Sequence, residues 1–312
     1  MVLGDGEPSA TVVFVHGNPE NSYAYRMVRE ELKRRASSPF RVVAMDHIGF
    51  GLSDQATYEM TAMDHAANLL QLVRHLDLKD VTLVVHDWGG PAGIGAFIEE
   101  PERVSNLVIL NTTVFPMPED GLTFRNYPIS WLGWCNIPRI TPVFMWQFIG
   151  PYAVFRTPVG ALRLLSGLAY FTAANALGHV PGREKEAKRV YREQFRPRMN
   201  ARSGRRMCLL TRYWGKGSVY RARGMGKRDT TPFYRNIQEN IGIYWGPDGR
   251  NIGVRAVLGG WDPLAKDTVI RQWVDALPQL EGKVKVFPGV SHFIEVERPV
   301  EIAEALRELA GL

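Results

Sequence analysis

The chain of 312 residues is long enough for one large core or for a core with an inserted segment. Its 45% hydrophobic and 22% charged residues are ordinary for a soluble globular protein. Two cysteines, Cys135 and Cys208, predict a reducing compartment without a disulfide framework or a metal site. No apolar, cleavable leader opens the sequence, so we expect a cytoplasmic location.

The net charge of +6 is concentrated in one stretch. Residues 183–235 hold seventeen Lys and Arg side chains against four Asp and Glu, which leaves 21 basic and 28 acidic residues elsewhere. This basic stretch is a candidate for contact with a membrane surface, another protein or an acidic ligand, although an ordinary solvated helical face explains it as simply. Nucleic acid is not expected as a partner, because no binding motif accompanies the charge.

Strand and helix patterns alternate at both ends of the chain. The predicted strands cover residues 11–15, 40–45, 81–85, 104–110, 254–259 and 283–287, and the predicted helices cover 22–35, 61–76, 91–100, 268–277 and 299–309. Alternation of this kind is typical of an α/β fold, in which helices cover both faces of a mostly parallel sheet.

The pattern changes between residues 115 and 249. Prolines, tryptophans and helical spacing replace the strand signals, which predicts a helical cap over the carboxyl ends of the strands. The expected organisation is therefore a core formed by residues 1–114 and 250–312, with residues 115–249 as the cap. Five aromatic side chains of the cap either form its own core or line an apolar tunnel: Trp131, Trp134, Phe144, Trp146 and Phe148.

Few residues precede the first predicted strand. Folds of this type usually carry further strands there, so we expect the usual N-terminal strands to be missing and one edge of the sheet to be open. An open strand edge pairs readily with another chain. We therefore expect a homodimer or a larger homo-oligomer.

The most informative motif is residues 86–90, HDWGG, which follow an apolar strand and precede a helix. Strand, sharp turn and helix form a nucleophile elbow, in which one strained residue is exposed at the end of a central strand. That residue is Ser in the usual G-x-S-x-G form, but here it is Asp87. A nucleophilic Asp forms an ester between its own carboxylate and a substrate carbon. The simpler alternative is a structural Asp that caps the next helix.

Two residues after late strands can reach the elbow. His292 follows the last predicted strand, and none of the other six histidines follows a late strand, so it is the candidate general base. Asp262 follows the penultimate strand and is the candidate acid that orients the base. The alternative acid position offers only the uncharged residues 111–113, NTT. His86 should point away from the elbow along the strand, which favours a structural role.

Two donors are expected beside Asp87. The indole N–H of Trp88 and the side-chain amide of Asn18 could hold a leaving halide or a developing carboxylate. The backbone N–H groups of the same two residues would form an oxyanion hole for ester hydrolysis. Core packing is the simpler alternative for Trp88, and a turn role before Pro19 is the simpler alternative for Asn18.

These motifs resemble the haloalkane dehalogenase family of α/β-hydrolases. The resemblance rests on residues 16–19 (HGNP), 46–54 (DHIGFGLSD) and 86–90, with Asp262 and His292, and covers roughly residues 11–115 and 250–312. It implies cleavage of carbon–halogen bonds in a small apolar substrate, a halide product, and no metal or organic cofactor. An acid at Asp262 combined with a halide donor at Asn18 is similar to subfamily III.

The motifs also look like the β-lactone decarboxylases of bacterial long-chain olefin synthesis, which are relatives of subfamily III. Residues 108–116, VILNTTVFP, strengthen this second resemblance. It implies that Asp87 attacks the lactone and that CO2 and a cis-olefin follow. Trp88 and Asn18 would stabilise either a leaving halide or a leaving carboxylate. The elbow alone therefore does not decide whether the substrate is a haloalkane or a β-lactone.

Two further alternatives stay open. An epoxide hydrolase also uses an Asp nucleophile with His and Asp, but it needs cap tyrosines and usually has an apolar residue where this chain has Asn18. A catalytically silent α/β-hydrolase that binds a ligand is disfavoured by the intact set of Asp87, Asp262 and His292. The tyrosines available to an epoxide hydrolase are Tyr127, Tyr152, Tyr170, Tyr191 and Tyr213.

Overall fold

A computed structural model describes residues 1–150 and 185–312, together with residues 162, 166, 167, 169, 170 and 173. The described strands are β1 (Val2–Leu3), β2 (Ala10–Val15), β3 (Phe40–Ala44), β4 (Val81–His86), β5 (Val104–Leu110), β6 (Pro128–Ile129), β7 (Leu132–Gly133), β8 (Val219–Ala222), β9 (Gly226–Asp229), β10 (Gly253–Gly259) and β11 (Val284–Phe287).

The described helices are α1 (Arg26–Arg35), α2 (Ala62–His75), α3 (Gly89–Phe97), α4 (Ile137–Ile140), α5 (Lys185–Glu193), α6 (Arg198–Leu210), α7 (Thr231–Trp245), α8 (Asp267–Ala276), α9 (Ile294–Glu297) and α10 (Pro299–Ala310). Short 3-10 turns cover Ser22–Tyr25, Pro101–Arg103, Trp134–Asn136, Val143–Met145, Thr211–Tyr213, Pro263–Ala265 and Pro278–Leu280. No helix within these described ranges is long and apolar enough to cross a membrane.

Seven strands form the central sheet in the order β1, β3, β2, β4, β5, β10, β11. Within this sheet only the pairing of β1 with β3 is antiparallel. Successive side chains of a strand point to opposite faces, so each strand feeds two cores. Val13 and Leu83 pack into the core under α2, α3, α7 and α8, whereas Val12 and Val84 pack into the core under α1 and α10. The predicted α/β fold with a mostly parallel sheet is confirmed.

The expected absence of strands before residues 11–15 needs one correction. Val2–Leu3 pairs antiparallel with Phe40 and Arg41, and the backbone N–H of Val42 donates to the carbonyl oxygen of Met1 over 2.8 Å. The pairing is only two residues long, which is too short for a period-two pattern to reveal it. Beyond Val42 the outer edge of β3 has no strand partner within the described part of the chain.

The described part of the region between β5 and β10 is less helical than the sequence pattern predicts. It contains two antiparallel hairpins, β6–β7 and β8–β9, whose strands are two to four residues long. The last helix of this region, α7, packs on α3 of the core, where a Cβ atom added at Gly95 would lie 2.5 Å from the ring of Phe233. We therefore propose that the cap ends before Thr231, and not at residue 249 as expected from the sequence.

Candidate active site

The elbow geometry lies at the end of β4, the strand in the middle of the sheet. Asp87 has a φ of 49°, in the left-handed region that is strained for a residue with a side chain. Small neighbours permit this tight turn. A Cβ atom added at Gly89 would lie 2.0 Å from the carbonyl oxygen of Val15, and one at Gly90 would lie 2.0 Å from Oγ1 of Thr112.

The two carboxylate oxygens of Asp87 have different surroundings. Oδ1 accepts a hydrogen bond of 2.7 Å from the backbone N–H of Asn18. Oδ2 lies 3.4 Å from Nε2 of His292. The loop that carries Asn18 passes close to the nucleophile because residue 17 is glycine, whose added Cβ atom would lie 2.3 Å from Cβ of Asp87. One oxygen is therefore held by the backbone, while the other faces the candidate base.

His292 and Asp262 lie together as their positions after β11 and β10 predict. Nδ1 of His292 is hydrogen bonded to Oδ2 of Asp262, and Oδ1 of Asp262 accepts a hydrogen bond of 2.8 Å from the backbone N–H of Leu264. Burial alone lowers the pKa of His292, but the carboxylates of Asp262 and Asp87 outweigh burial and raise the pKa of His292 well above its usual value.

Asn111, directly after β5, is a site residue that the sequence reasoning missed. Its Nδ2 donates to Oδ2 of Asp262 over 3.2 Å and to the carbonyl oxygen of Gly259 over 3.0 Å. Its Oδ1 accepts a hydrogen bond of 2.7 Å from the backbone N–H of Gly259. In the sequence this position is notable only as uncharged. The signal that could have found it is an amide at the end of a strand that neighbours β10.

The two predicted side-chain donors are not brought together. Asn18 lines the cavity beside Asp87, where its Nδ2 donates to the carbonyl oxygen of Gly204 over 3.1 Å. The indole of Trp88 packs on Trp214 with ring centroids 4.3 Å apart and lines a neighbouring cavity. Oδ1 of Asn18 and the indole N–H of Trp88 are both buried without a hydrogen-bond partner among the described residues.

The cavity at the elbow is mainly aromatic, with few polar groups. Such a lining suits a small apolar substrate that is oriented by a few polar contacts. Of the cap aromatics considered above, Trp134 lines this cavity, Trp146 is buried, and Trp131 and Phe144 are exposed. The lining residues are Asn18, Asp87, Phe124, Tyr127, Pro128, Trp134, Trp261, Ser291, His292 and Phe293.

The cap tyrosines are spread over several environments. Tyr127 lines the cavity, where burial and then the charge of Asp262 raise its pKa well above the usual value, so the phenol is neutral. Tyr191 packs against Phe293, and Tyr213 lines the neighbouring cavity. Tyr170 is exposed. Tyr152 and the competing histidine His179 lie outside the described residues.

One group of side chains in the described parts of the chain has the spacing of a metal site. The ligand atoms of Glu20, His86 and Glu295 lie within 4.8 Å of one another, and all three side chains are buried. Nδ1 of His86 lies 2.6 Å from Oε2 of Glu20, which is the length of a direct hydrogen bond. This geometry fits a shared proton better than an intervening metal ion.

Comparisons with known proteins identify similar sequences and folds. The family described as alpha/beta hydrolase fold matches residues 10–134. Over 120 residues the chain is 43% identical to a cis-3-alkyl-4-alkyloxetan-2-one decarboxylase of Shewanella oneidensis, covering 37% of this chain and 36% of the relative. It is 30% identical over 200 residues to a decarboxylase of the same name from Xanthomonas campestris, covering 55% and 64%.

A haloalkane dehalogenase of Mycolicibacterium paratuberculosis is 35% identical over 141 residues, covering 45% of this chain and 43% of that protein. The chain thus matches between about a third and two thirds of the length of these curated relatives. Among solved structures, a loop variant of a haloalkane dehalogenase from Bradyrhizobium elkanii aligns with a TM-score of 0.65 at 16% identity, over 99% of this chain and 91% of that chain.

The family match and the structural neighbour show that the chain has the α/β-hydrolase fold. Within this fold, the chain is similar in sequence to haloalkane dehalogenases and to cis-3-alkyl-4-alkyloxetan-2-one decarboxylases, which are β-lactone decarboxylases. The predicted resemblance to haloalkane dehalogenases is confirmed, and so is the predicted resemblance to β-lactone decarboxylases. The roles of the individual site residues stay predictions.

Replacement of Asn111 by Leu tests its contribution to the acid–base pair. The variant Asn111→Leu keeps the side-chain size but removes the donor to Asp262, so we expect kcat to fall about tenfold, since one hydrogen bond to a charged group is worth roughly 1.5–3 kcal/mol. Steady-state kinetics on an active substrate measures the change. Asn106→Leu, at the opposite end of β5, is the matched control and should leave kcat unchanged. Equal effects of the two variants would contradict a specific role for Asn111.

Proposed function

We propose that the chain is a hydrolase that uses Asp87 to cleave carbon–halogen bonds, releasing an alcohol and a halide. The observation that carries the proposal is the asymmetric setting of the Asp87 carboxylate at the floor of an apolar cavity. Oδ1 is held by the backbone N–H of Asn18, and Oδ2 faces Nε2 of His292. A carboxylate held in this way can attack with one oxygen and later carry the oxyanion on the other.

In the first step, Oδ2 of Asp87 displaces the halide from carbon, and the halide leaves with the bonding electron pair. An alkyl ester of Asp87 results. Trp88 is a proposed donor for the leaving ion, because its indole N–H is buried without a partner in the described ranges. Asn18 is the second proposed donor, through its Nδ2, which donates to the carbonyl oxygen of Gly204 in this structure. Asn18 must turn its amide to present an N–H, and the indole of Trp88 must turn toward the cavity. The combination of Asn18 with Asp262 is the one expected for subfamily III.

In the second step, His292 removes a proton from water, and the oxygen of that water attacks the ester carbonyl of Asp87. The resulting oxyanion forms on Oδ1, which already accepts the backbone N–H of Asn18. Asp262 stabilises the imidazolium that forms and holds the ring in orientation. Collapse of the intermediate expels the alkoxide, which takes a proton and leaves as the alcohol. These steps require no metal or organic cofactor.

Ester formation itself prepares the base for the second step. In the resting enzyme the carboxylates of Asp262 and Asp87 both raise the pKa of His292. Esterification removes the charge of Asp87, so the pKa of His292 must fall and the ring releases its proton more readily. Water activation is thereby favoured after the ester has formed.

Asp87→Asn mimics the uncharged ester and tests this coupling. We expect the pKa of His292 in this variant to lie below that in the native protein, because only Asp262 remains to raise it. An NMR titration of the His292 ring measures both values. Asp267→Asn, which removes an exposed carboxylate, is the control and should leave the titration unchanged. An unaltered pKa in Asp87→Asn would contradict the coupling.

A specific finding favours a second candidate, β-lactone decarboxylation. Two decarboxylases are among the relatives, and the Trp88 indole lines a different cavity from Asp87. Oδ2 of Asp87 would attack the saturated ring carbon that is bonded to the ring oxygen. The bond between that carbon and the ring oxygen would break and leave a carboxylate. Loss of CO2 would then supply the electron pair of the double bond as the bond to Asp87 breaks. The leaving carboxylate stays tethered to the substrate, so a separate halide pocket is not required.

Three substrates separate the enzyme candidates: 1,2-dibromoethane, a cis-β-lactone and styrene oxide. We expect bromide release from 1,2-dibromoethane, whereas CO2 with olefin from the lactone alone would establish the decarboxylase. Diol from styrene oxide would establish an epoxide hydrolase, for which Tyr127 is the one described cap tyrosine in the cavity. No product from any substrate would favour a silent ligand-binding protein.

The same assay with variants tests the residues. Asp87→Ala should abolish turnover, because no ester can form. His292→Ala should still form the ester but not hydrolyse it, so intact-protein mass spectrometry should detect one added 2-bromoethyl group. His75→Ala, at an exposed histidine, should behave as the native protein. Turnover by Asp87→Ala would overturn the mechanism.

We further propose a cytoplasmic homo-oligomer in which the outer edge of β3 is covered by another copy. The edge beyond Val42 has no strand partner within the described ranges, and one structural neighbour is a tetrameric haloalkane dehalogenase from Paraglaciecola agarilytica, with a TM-score of 0.63 at 20% identity. Light scattering at micromolar concentration should give a multiple of the chain mass, and a monomer would contradict the proposal.

The basic stretch of residues 183–235 is the candidate surface for a membrane or protein contact. Part of its charge is used within the fold, where Arg206 pairs with Glu59 and Arg228 pairs with Asp64. Arg198 and Arg223 are exposed and supply the charge that an acidic partner would meet.

A further inference from the structure

A buried polar cluster lies directly behind the elbow, formed by Glu20, His86 and Glu295. Each of these side chains is at most 1% exposed. Nδ1 of His86 lies 2.6 Å from Oε2 of Glu20, and Nε2 of His86 lies 3.6 Å from Oε2 of Glu295. Charged and polar side chains are rarely buried so completely unless they are paired. The cluster therefore requires an explanation beyond packing.

The cluster joins three of the segments that form the candidate active site. Glu20 lies on the loop after β2, His86 ends β4, and Glu295 lies in α9 after the last strand. Each is one to three residues away from a side chain proposed to act in the reaction. Those side chains are Asn18, Asp87 and His292, respectively.

The hydrogen bonds of His86 define its protonation. Its Nε2 lies 2.9 Å from the carbonyl oxygen of His292, and because a carbonyl only accepts, Nε2 must carry a hydrogen. Its Nδ1 faces Oε2 of Glu20, which also accepts the backbone N–H of Gly17 over 3.3 Å. The N–H of Gly17 favours a negative charge on this oxygen. The arrangement therefore fits an imidazolium at His86 paired with an ionised Glu20.

This pairing leaves no second cation for Glu295. Burial and then the charge of Glu20 raise the pKa of Glu295 well above its ordinary value of 4.5, so this carboxyl is a neutral acid. For Glu20, burial raises the pKa, but the charge of His86 acts together with the interactions with Glu295 and His292 and lowers the pKa to about 2. The cluster then holds one positive and one negative charge and is neutral overall.

We propose that His86 and Glu20 are positioning residues, which hold the backbone carbonyl of His292 and so fix the base against Asp87. The imidazolium of His86 donates to that carbonyl, Glu20 keeps the imidazolium charged, and Glu295 is a buried neutral acid beside this pair. The catalytic part of this inference rests on the proposed ester hydrolysis, whereas the protonation of the cluster does not.

Two isosteric variants separate the roles of the two acids. Glu295→Gln replaces a neutral acid by a neutral amide, so we expect kcat and KM within about twofold of native. Glu20→Gln leaves the His86 imidazolium without its counter-ion, so we expect kcat to fall about tenfold or more with little change in KM, as breaking a buried pair is costly. Packing alone predicts equal effects, because both substitutions conserve volume. Equal losses in kcat would therefore overturn the proposal.

The stability of the same variants tests the protonation without any substrate. A carboxyl group whose pKa is raised on folding stabilises the folded protein fully at a pH below the pKa of the unfolded chain. This stabilisation is lost as the pH rises toward the pKa of the group in the folded protein. Native protein should therefore lose stability through Glu295 between pH 5 and pH 8, and Glu295→Gln should not. We therefore expect the difference in melting temperature, Glu295→Gln minus native, to increase by about 2–4 °C or more from the lower to the upper end of this pH range.

The native protein and Glu295→Gln share all other charged groups near the cluster. The difference between their melting temperatures therefore reports on Glu295. The pKa values of Tyr25 and Tyr191 are raised and that of His16 is lowered, in each case mainly by burial, which disfavours the charged form of all three groups. The charged or titratable neighbours common to both proteins are His16, Tyr25, Arg26, Asp46, Asp87, Tyr191 and His292.

The outcomes are distinguishable. If no substrate is turned over but the melting curves diverge with pH, the proposed function fails and the protonation stands. If the melting curves stay parallel, a neutral Glu295 is excluded. One equivalent of tightly bound metal in the purified protein, removed by a chelator with loss of stability, would replace the shared proton by an ion and overturn the proposal.

Discussion

The strained turn at Asp87 is the constraint on which the rest of the site depends. A residue with a side chain adopts a φ of 49° only when its surroundings hold it there. The fully buried strand β4 fixes the chain before Asp87. After Asp87, the close packing of Gly89 on Val15 and of Gly90 on Thr112 fixes the start of α3. The strain places the carboxylate above the sheet, where loops from β2, β5, β10 and β11 can meet it.

Those loops form two layers around the elbow. The upper layer is open to the cavity and contains the proposed nucleophile, the proposed base and the acid proposed to orient the base. The lower layer is dry and contains the cluster of Glu20, His86 and Glu295. Because successive residues along a strand face opposite sides, Asp87 belongs to the upper layer and its neighbour His86 to the lower layer. The order of the upper layer thus depends on polar contacts that no substrate reaches.

Much of the architecture was predictable because it is local. The apolar run of β4, the HDWGG turn and the late strands before Asp262 and His292 are each visible within about ten residues. The missed features depend on contacts between distant parts of the chain. Asn111 is recognised through Asp262, 151 positions away, and the direction of the Trp88 indole depends on Trp214. The cap hairpins were missed because strands of two to four residues show no periodicity.

The cavity lining divides unevenly between the core and the cap. The polar groups come from core loops, whereas Phe124, Tyr127, Pro128 and Trp134 all come from an eleven-residue segment around the β6–β7 hairpin. The chemistry and the shape of the pocket are thus carried by separate parts of the chain. Related proteins that share this core could change the range of substrates they accept by exchanging one short segment, while the residues proposed to make and break the ester are left intact.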